Sequence, residues 1–300
     1  MLVRPSPLRH VLAHGFLHPG SSPSSPILVG RSFASSLLRL TEVEVYHAPQ
    51  STSSHAFTQL QRTPLYVFHL SNRAKMVPFA GWSMPLSYGD TGQSASPCHS
   101  SPTLLRPGPK LTPPVVAHNH VRTSAGLFDV SHMLQHRFAG PSAQGFLMSL
   151  CPSSLNALAP FSSTLSVLLN EEGGIIDDTI ITKQESDESF YVVTNAGRAS
   201  EDKAFIGKKL EEWSARVEGE VKWETLDRWG LLALQGPKAG EALQSLTSGN
   251  LAGIRFGQSG FVEIGKEGVR CHVARGGYTG EDGFEVVSPP SRTLQPARRS

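Results

Sequence analysis

The sequence predicts an α+β fold of mixed and antiparallel sheets with flanking helices. Three observations lead there. Strand-like segments follow one another across glycine turns, as in 165–170 and 175–182, joined by Glu171-Glu172-Gly173-Gly174. Helical periodicity is confined to a few stretches, the longest being 200–217, where Ile206, Leu210, Trp213 and Val217 can share one face. Repeated strand–strand–helix units, rather than a strict alternation of strand and helix, argue against a doubly wound parallel sheet.

The chain has 300 residues, 39% hydrophobic and 17% charged, enough for one large domain or two ordinary ones. With 27 basic and 25 acidic side chains the formal charge is +2, which marks neither nucleic acid nor an anionic membrane as partner. No apolar run reaches the roughly 20 residues needed to span a bilayer. Cys98, Cys151 and Cys271 form no CxxC pair and read as reduced thiols, with Cys151 and Cys271 as small apolar fillers.

Taken in order, residues 1–41 contain arginines and serines but no Asp, Glu or Lys, the composition of a mitochondrial transit peptide. Residues 42–61 read as a polar linker. A short helix containing Phe68, His69 and Leu70 follows, then a proline-interrupted stretch of extended chain and turns at 76–86. Prolines 97, 102, 107, 109, 113 and 114 forbid regular helix or central strand across 97–119, so order is expected to return only at Val121. From there the reading is strand at 134–138, a turn at Gly140-Pro141, helix at 143–150, strands at 165–170, 175–182 and 190–195, the helix at 200–217, strand at 229–234, a helix after Gly236-Pro237, a hairpin over 261–274, and a glycine-rich segment at 276–285. No internal sequence repeat is evident. Residues 288–300 read as an irregular tail.

Two places could carry chemistry. Asp177 and Asp178 stand side by side in an otherwise apolar strand, so alternation sends them to opposite faces. A carboxylate in an apolar pocket can hold a proton or stabilise a developing positive charge; a solvated pair at a strand end is the plainer alternative. Around Gly276–Glu285, four glycines allow close approach of backbone, and Glu281, Asp282 and Glu285 offer acceptors that would suit an N–H-rich heterocycle; a tight hairpin explains the pattern equally well. No phosphate-loop motif is present, Ser131 lacks a nucleophile-elbow context, and His132 reads as a satisfied structural histidine rather than a metal ligand.

Several segments, in order, resemble the T protein of the glycine cleavage system: Arg62-Thr63-Pro64-Leu65-Tyr66, Phe79-Ala80-Gly81-Trp82-Ser83-Met84-Pro85, Leu127-Phe128-Asp129-Val130-Ser131-His132-Met133, Asn170-Glu171-Glu172-Gly173-Gly174-Ile175-Ile176-Asp177-Asp178, Tyr191-Val192-Val193-Thr194-Asn195-Ala196, Leu234-Gln235-Gly236-Pro237 and Gly277-Tyr278-Thr279-Gly280-Glu281-Asp282-Gly283-Phe284-Glu285. The resemblance covers 62–287 apart from 97–119. That stretch reads as a retained intron, which a spliced transcript still encoding Pro107-Gly108-Pro109 would refute. It also implies a C-terminal β-barrel domain, absent from this sequence.

The resemblance implies a folate-binding aminomethyltransferase fold. It implies transfer of the methylene of an aminomethyl-lipoyl group, carried by H protein, to tetrahydrofolate with release of ammonia, in the mitochondrial matrix and without a metal. Asp178 matches the catalytic carboxylate, and Glu285 the residue that grips the pterin N–H edge. Met133, Leu165, Tyr191, Val193 and Asn195 match folate-pocket positions, and Asp177 is left as structural. Three rivals are weaker. The iron–sulfur assembly relatives carry a cysteine and a glutamine-glutamate pair in the glycine segment, where this chain has Tyr278 and Glu281-Asp282. Dimethylglycine and sarcosine dehydrogenases carry a flavin-binding half that is absent here. A folate-binding fragment without catalysis is the third.

Overall fold

The computed structural model describes residues 59–88, 114–217 and 219–290. The expected transit peptide, most of the linker, Cys98, the larger part of the proline-rich stretch and the end of the tail lie outside them.

Strands β1 (Gln61–Arg62), β2 (Lys75–Phe79) and β3 (Trp82–Ser87) form a small mixed sheet beside helix α1 (Tyr66–Ser71). The stretch expected as extended chain and turns is a hairpin, turned at Ala80 and Gly81, both with positive φ. Gln61, given to the linker, pairs with Trp82. Helix α2 (Pro114–Thr123) corrects another expectation: order returns at Pro114, not at Val121. Pro114 opens the helix, where its missing N–H has no intrahelical acceptor to lose, so it starts the helix instead of forbidding it. The last turns bury Ala117 and Val121.

Next come β4 (Gly126–Asp129), β5 (Leu134–Ala139), α3 (Ala143–Leu150), β6 (Ser163–Leu169), β7 (Ile175–Lys183), β8 (Ser189–Thr194) and α4 (Ala199–Ser214). They are followed by β9 (Lys222–Thr225), β10 (Gly230–Gln235), α5 (Ala239–Gln244), β11 (Ser259–Ile264), β12 (Val269–Arg275) and β13 (Gly283–Ser288). Helix α4 ends before Val217, which is exposed rather than on the buried face with Ile206; the helical periodicity runs one turn further than the helix.

Two five-stranded antiparallel sheets result, in the orders β6-β7-β8-β5-β9 and β11-β12-β13-β10-β4. The orders are the same once β5, β6, β7 and β8 are matched with β10, β11, β12 and β13. The chain therefore contains a structural repeat that the sequence reading missed. Gly140-Pro141-Ser142-Ala143 and Gly236-Pro237-Lys238-Ala239 open the two equivalent helices, and Phe190-Tyr191-Val192-Val193 in β8 matches Phe284-Glu285-Val286-Val287 in β13. Only short, scattered identities survive, and they are legible once the register is known.

The leading strands are exchanged. β4 runs into β5 across four residues yet pairs with β10, and β9 runs into β10 yet pairs with β5. The crossing places the Ser124 carbonyl on the Lys238 amide (2.9 Å) and the Glu220 carbonyl on the Ser142 amide (3.4 Å), two equivalent hydrogen bonds. A Cβ at Gly236 or Gly140 would collide with those same carbonyls, and both glycines have positive φ (131° and 122°).

The outer face of the first sheet packs Phe138, Ile181, Phe190 and Val192 against α3 and α4. That of the second packs Leu232, Leu234, Val273, Phe284 and Val286 against α1 and α5. A third, smaller cluster joins Val193 to Leu231 and Val287, from the two opposite inner faces, with Met133 and Tyr191 packed against it. The two sheets thus face each other, and their inner faces bound a gap. Among the described residues no helix is long and apolar enough to cross a membrane.

Candidate functional site

The register of the first sheet decides which side chains line the gap. Leu165 pairs with Ile180, Ile180 with Val193, and Val193 with Gln135, so these four share one face. Asp178, two residues before Ile180 and opposite Val167, shares that face; Tyr191, two before Val193, does too. The neighbouring Asp177 points to the helix side and is buried at 7% exposure, whereas Asp178 is exposed.

Asn195, just past β8, ties the two carboxylates together. Its backbone N–H donates to Asp177 Oδ2 (2.8 Å), and its side-chain Nδ2 donates to both Asp177 Oδ1 (3.0 Å) and Asp178 Oδ1 (2.7 Å). Asp178 is thus held in one orientation at the mouth of the gap.

The second sheet supplies Glu285 at the position equivalent to Tyr191. Burial pushes its carboxyl above the usual range, opposed by hydrogen bonding from Tyr278. The Tyr278 side chain is 65% exposed, but its phenol end is shielded toward Glu285 and, at longer range, Asp178; that shielding and the charges of these two acids raise its pKa. The Tyr191 hydroxyl donates to Gln135 Oε1 (2.9 Å), and its ring meets the edge of His272 at 5.3 Å. Burial raises the Tyr191 pKa, with the charge of Glu285 adding to it. His272 is pushed down to about 4 by burial, so it stands neutral in the wall.

Of the residues singled out in sequence, Asp178, Asn195, Tyr191 and Glu285 meet around this gap. Met133 and Val193 form its apolar floor, partly and fully buried respectively. Leu165 lies on the same face, one strand further out, and is 71% exposed. The other acids of the glycine-rich segment are engaged elsewhere: Asp282 holds Arg275 through two bonds (2.9 and 2.7 Å), and Glu281 pairs with Arg122 at 3.2 Å. Sequence reasoning missed Gln135 and gave Tyr278 no role. Neither had a signal: Gln135 is one of three polar residues in β5, and only the fold turns it inward and brings the Tyr278 side chain to Glu285.

His132 is not the satisfied histidine expected. It packs against Phe79 at 5.5 Å, but its buried Nδ1 has no partner, and burial lowers its pKa. Cys151 and Cys271 are both free and buried. Among the described residues no group of three His, Cys, Asp or Glu is arranged to hold a metal ion.

The arrangement can bind a flat, partly apolar molecule with N–H donors at one edge, and can set a carboxylate beside a centre that becomes positive. Known proteins share the framework. The family described as the GCVT N-terminal domain matches residues 65–297. The probable mitochondrial aminomethyltransferase of Schizosaccharomyces pombe is 42% identical over 241 residues, 80% of this chain and 55% of that protein. The mitochondrial aminomethyltransferase of Saccharomyces cerevisiae is 43% identical over 232 residues, 76% of this chain and 52% of that one. The crystal structure of glycine cleavage system aminomethyltransferase T from Bartonella henselae superposes with a TM-score of 0.59 at 35% identity, covering 77% of this chain and 54% of its own. This chain spans about half the length of the curated relatives it matches. Its matched region makes it a member of the GCVT N-terminal domain family, the family of the glycine cleavage aminomethyltransferases.

Proposed function

We propose that this chain provides the folate site and the catalytic carboxylate of an aminomethyltransferase. The reaction moves the methylene of an aminomethyl group, carried on the lipoyl arm of H protein, to tetrahydrofolate; ammonia leaves and the lipoyl thiol is regenerated. The observation that carries the reading is that one phenol, Tyr278, lies within electrostatic reach of both Asp178 and Glu285, which come from two different sheets, beside the apolar cluster of Met133 and Val193.

Each residue then has a task. Glu285 accepts N–H bonds from the pterin edge, and its partial burial makes those charge-assisted bonds strong. Tyr191, Val193, Met133 and Leu165 supply apolar surface along the ring system. Asn195 keeps Asp178 aimed. Asp178 stabilises the positive charge that develops on the transferred carbon as the C–N bond to ammonia breaks. Tetrahydrofolate acts as co-substrate, and no role for a metal is proposed.

The relatives are named mitochondrial. With the acid-free residues 1–41, this supports import into the mitochondrial matrix, tested by fusing that segment to a fluorescent reporter.

The decisive experiment combines two variants. Asp178→Asn should lower ammonia release by roughly 100-fold, the scale of one lost electrostatic stabiliser, and leave folate affinity within about threefold. Glu285→Ala should do the reverse, weakening tetrahydrofolate binding about tenfold or more in calorimetry. An Asp178→Asn protein with unchanged turnover sinks the catalytic assignment. Folate binding with no turnover in the parent chain leaves a binding module instead.

A further inference from the structure

Behind the gap lies a fully buried carboxyl that the proposed reaction does not use. Asp202, in the first turn of α4, has no exposed surface, and neither of its oxygens meets a conventional donor. Its polar neighbours are the Thr194 hydroxyl and the carboxylate of Asp177. Two carboxylates that close cannot both be ionised without strong repulsion; one proton between them turns the contact into a hydrogen bond.

The surrounding bonds say which acid carries that proton. Trp223 Nε1–H can only donate, and it points at His136 Nδ1 (3.1 Å). Burial pushes His136 down to about 3, so the ring is neutral and its single hydrogen must sit on Nε2. Nε2 therefore donates to Thr194 Oγ1 (3.2 Å), which leaves the Thr194 hydroxyl proton turned toward Asp202 but outside hydrogen-bond geometry. At the other end, both oxygens of Asp177 already accept from Asn195. Asp177 is thus the acceptor of the pair, and Asp202 the donor.

We propose that Asp202 is a positioning residue: it retains a proton, shares it with Asp177, and so fixes the Asn195 amide that donates to Asp178. Five residues, Trp223, His136, Thr194, Asp202 and Asp177, run in sequence along the helix side of the first sheet, and Asn195 carries the orientation round its edge to the gap. Burial, with the adjacent Asp177 charge, pushes the Asp202 carboxyl up to about 7; Thr194 and the Arg198 guanidinium act in the opposite direction. Arg198 is shared with Glu201 at 3.0 Å, and Lys203 faces His136 rather than the pair. The proton-sharing itself is independent of the proposed reaction; only its consequence for Asp178 rests on that reading.

The sign of the pH effect follows. The unfolded chain releases the Asp202 proton near the ordinary carboxylate value and the folded chain near 7, so between about pH 4 and 7 stability falls as pH rises. Asp202→Asn keeps the size and the donor but cannot titrate. The test uses the 300-residue chain without folate, measuring denaturant midpoints across that window and the NMR resonances of the Asn195 side-chain amide. We expect the parent's midpoint to fall with pH more steeply than that of D202N, the slope from Glu285 being common to both. The Asn195 amide should shift with a midpoint near pH 7 in the parent and stay fixed in D202N. Equal slopes in the two proteins, an amide that titrates identically in both, or a D202N chain that fails to fold at neutral pH would each overturn the proposal. None of these readouts depends on folate transfer, so they separate this inference from a failure of the enzyme assignment.

Discussion

At the start of β7 the first unit carries Asp177-Asp178; the same register positions in β12 of the second unit carry Val269 and Arg270. Where the first has Asn195 past its last strand, the second has Pro289, and where the first has Trp223, His136 and Thr194 on the helix side, the second has Leu127, Leu232 and Ser288. The packing positions are alike: Phe190 and Phe284, Val192 and Val286, and Leu147 and Leu243 are all buried. Two copies of one scaffold therefore differ in their polar residues. The polar chain behind Asp178 exists in one copy only, and the second contributes Glu285 from the position where the first has Tyr191. A repeated scaffold can keep its core pattern twice and place each half of a site on a different copy, because core volume and inward-facing chemistry sit on opposite faces of the same strands.

Predictions that break or sharpen this comparison can be ranked. The largest concern the shared core. Phe190→Ala and Phe284→Ala, at 0% and 1% exposure, should each cost about 3–5 kcal/mol in chemical denaturation. A mutant pair differing by more than about 2 kcal/mol would show that the copies do not share equivalent cores. Next are the crossing glycines. Gly140→Ala and Gly236→Ala should each destabilise by roughly 1–3 kcal/mol, from positive φ and from the Glu220 and Ser124 carbonyls in the way. A neutral result at either site would show that the strand exchange relaxes there.

Glu285 gives a medium-sized, pH-dependent effect. Burial raises its folded pKa, so the ligand-free fold loses stability as pH rises through that value, and Glu285→Gln should flatten this part of the profile. Folate affinity should behave oppositely, since the ionised form accepts the pterin N–H groups: it should weaken as pH falls through the raised pKa in the parent, and less so in the Gln variant. Calorimetry at several pH values checks both. The smallest effect is expected at Arg270, the counterpart of Asp178. Arg270→Asp loses a cation–π contact with Phe261 and should cost no more than about 1 kcal/mol. Folate stoichiometry should remain one; a second bound folate would mean that a carboxylate alone makes this site.

Local pattern went far here. The α+β class, the exact span of α3, the Glu171–Gly174 hairpin and the opposite facing of Asp177 and Asp178 follow from periodicity, turn residues and alternation, which depend on neighbours in the chain. Proline misled the same reasoning at 114, because a single residue does not say whether it interrupts a helix or opens one. The exchange of β4 and β9, the facing of Tyr191 by His272, the approach of Tyr278 to Glu285 and the contact of Asp202 with Asp177 were not legible. All but the approach of Tyr278 to Glu285 join residues tens of positions apart through pairing register, and register is set by the burial of whole strand faces against one another, a quantity no short stretch of residues contains.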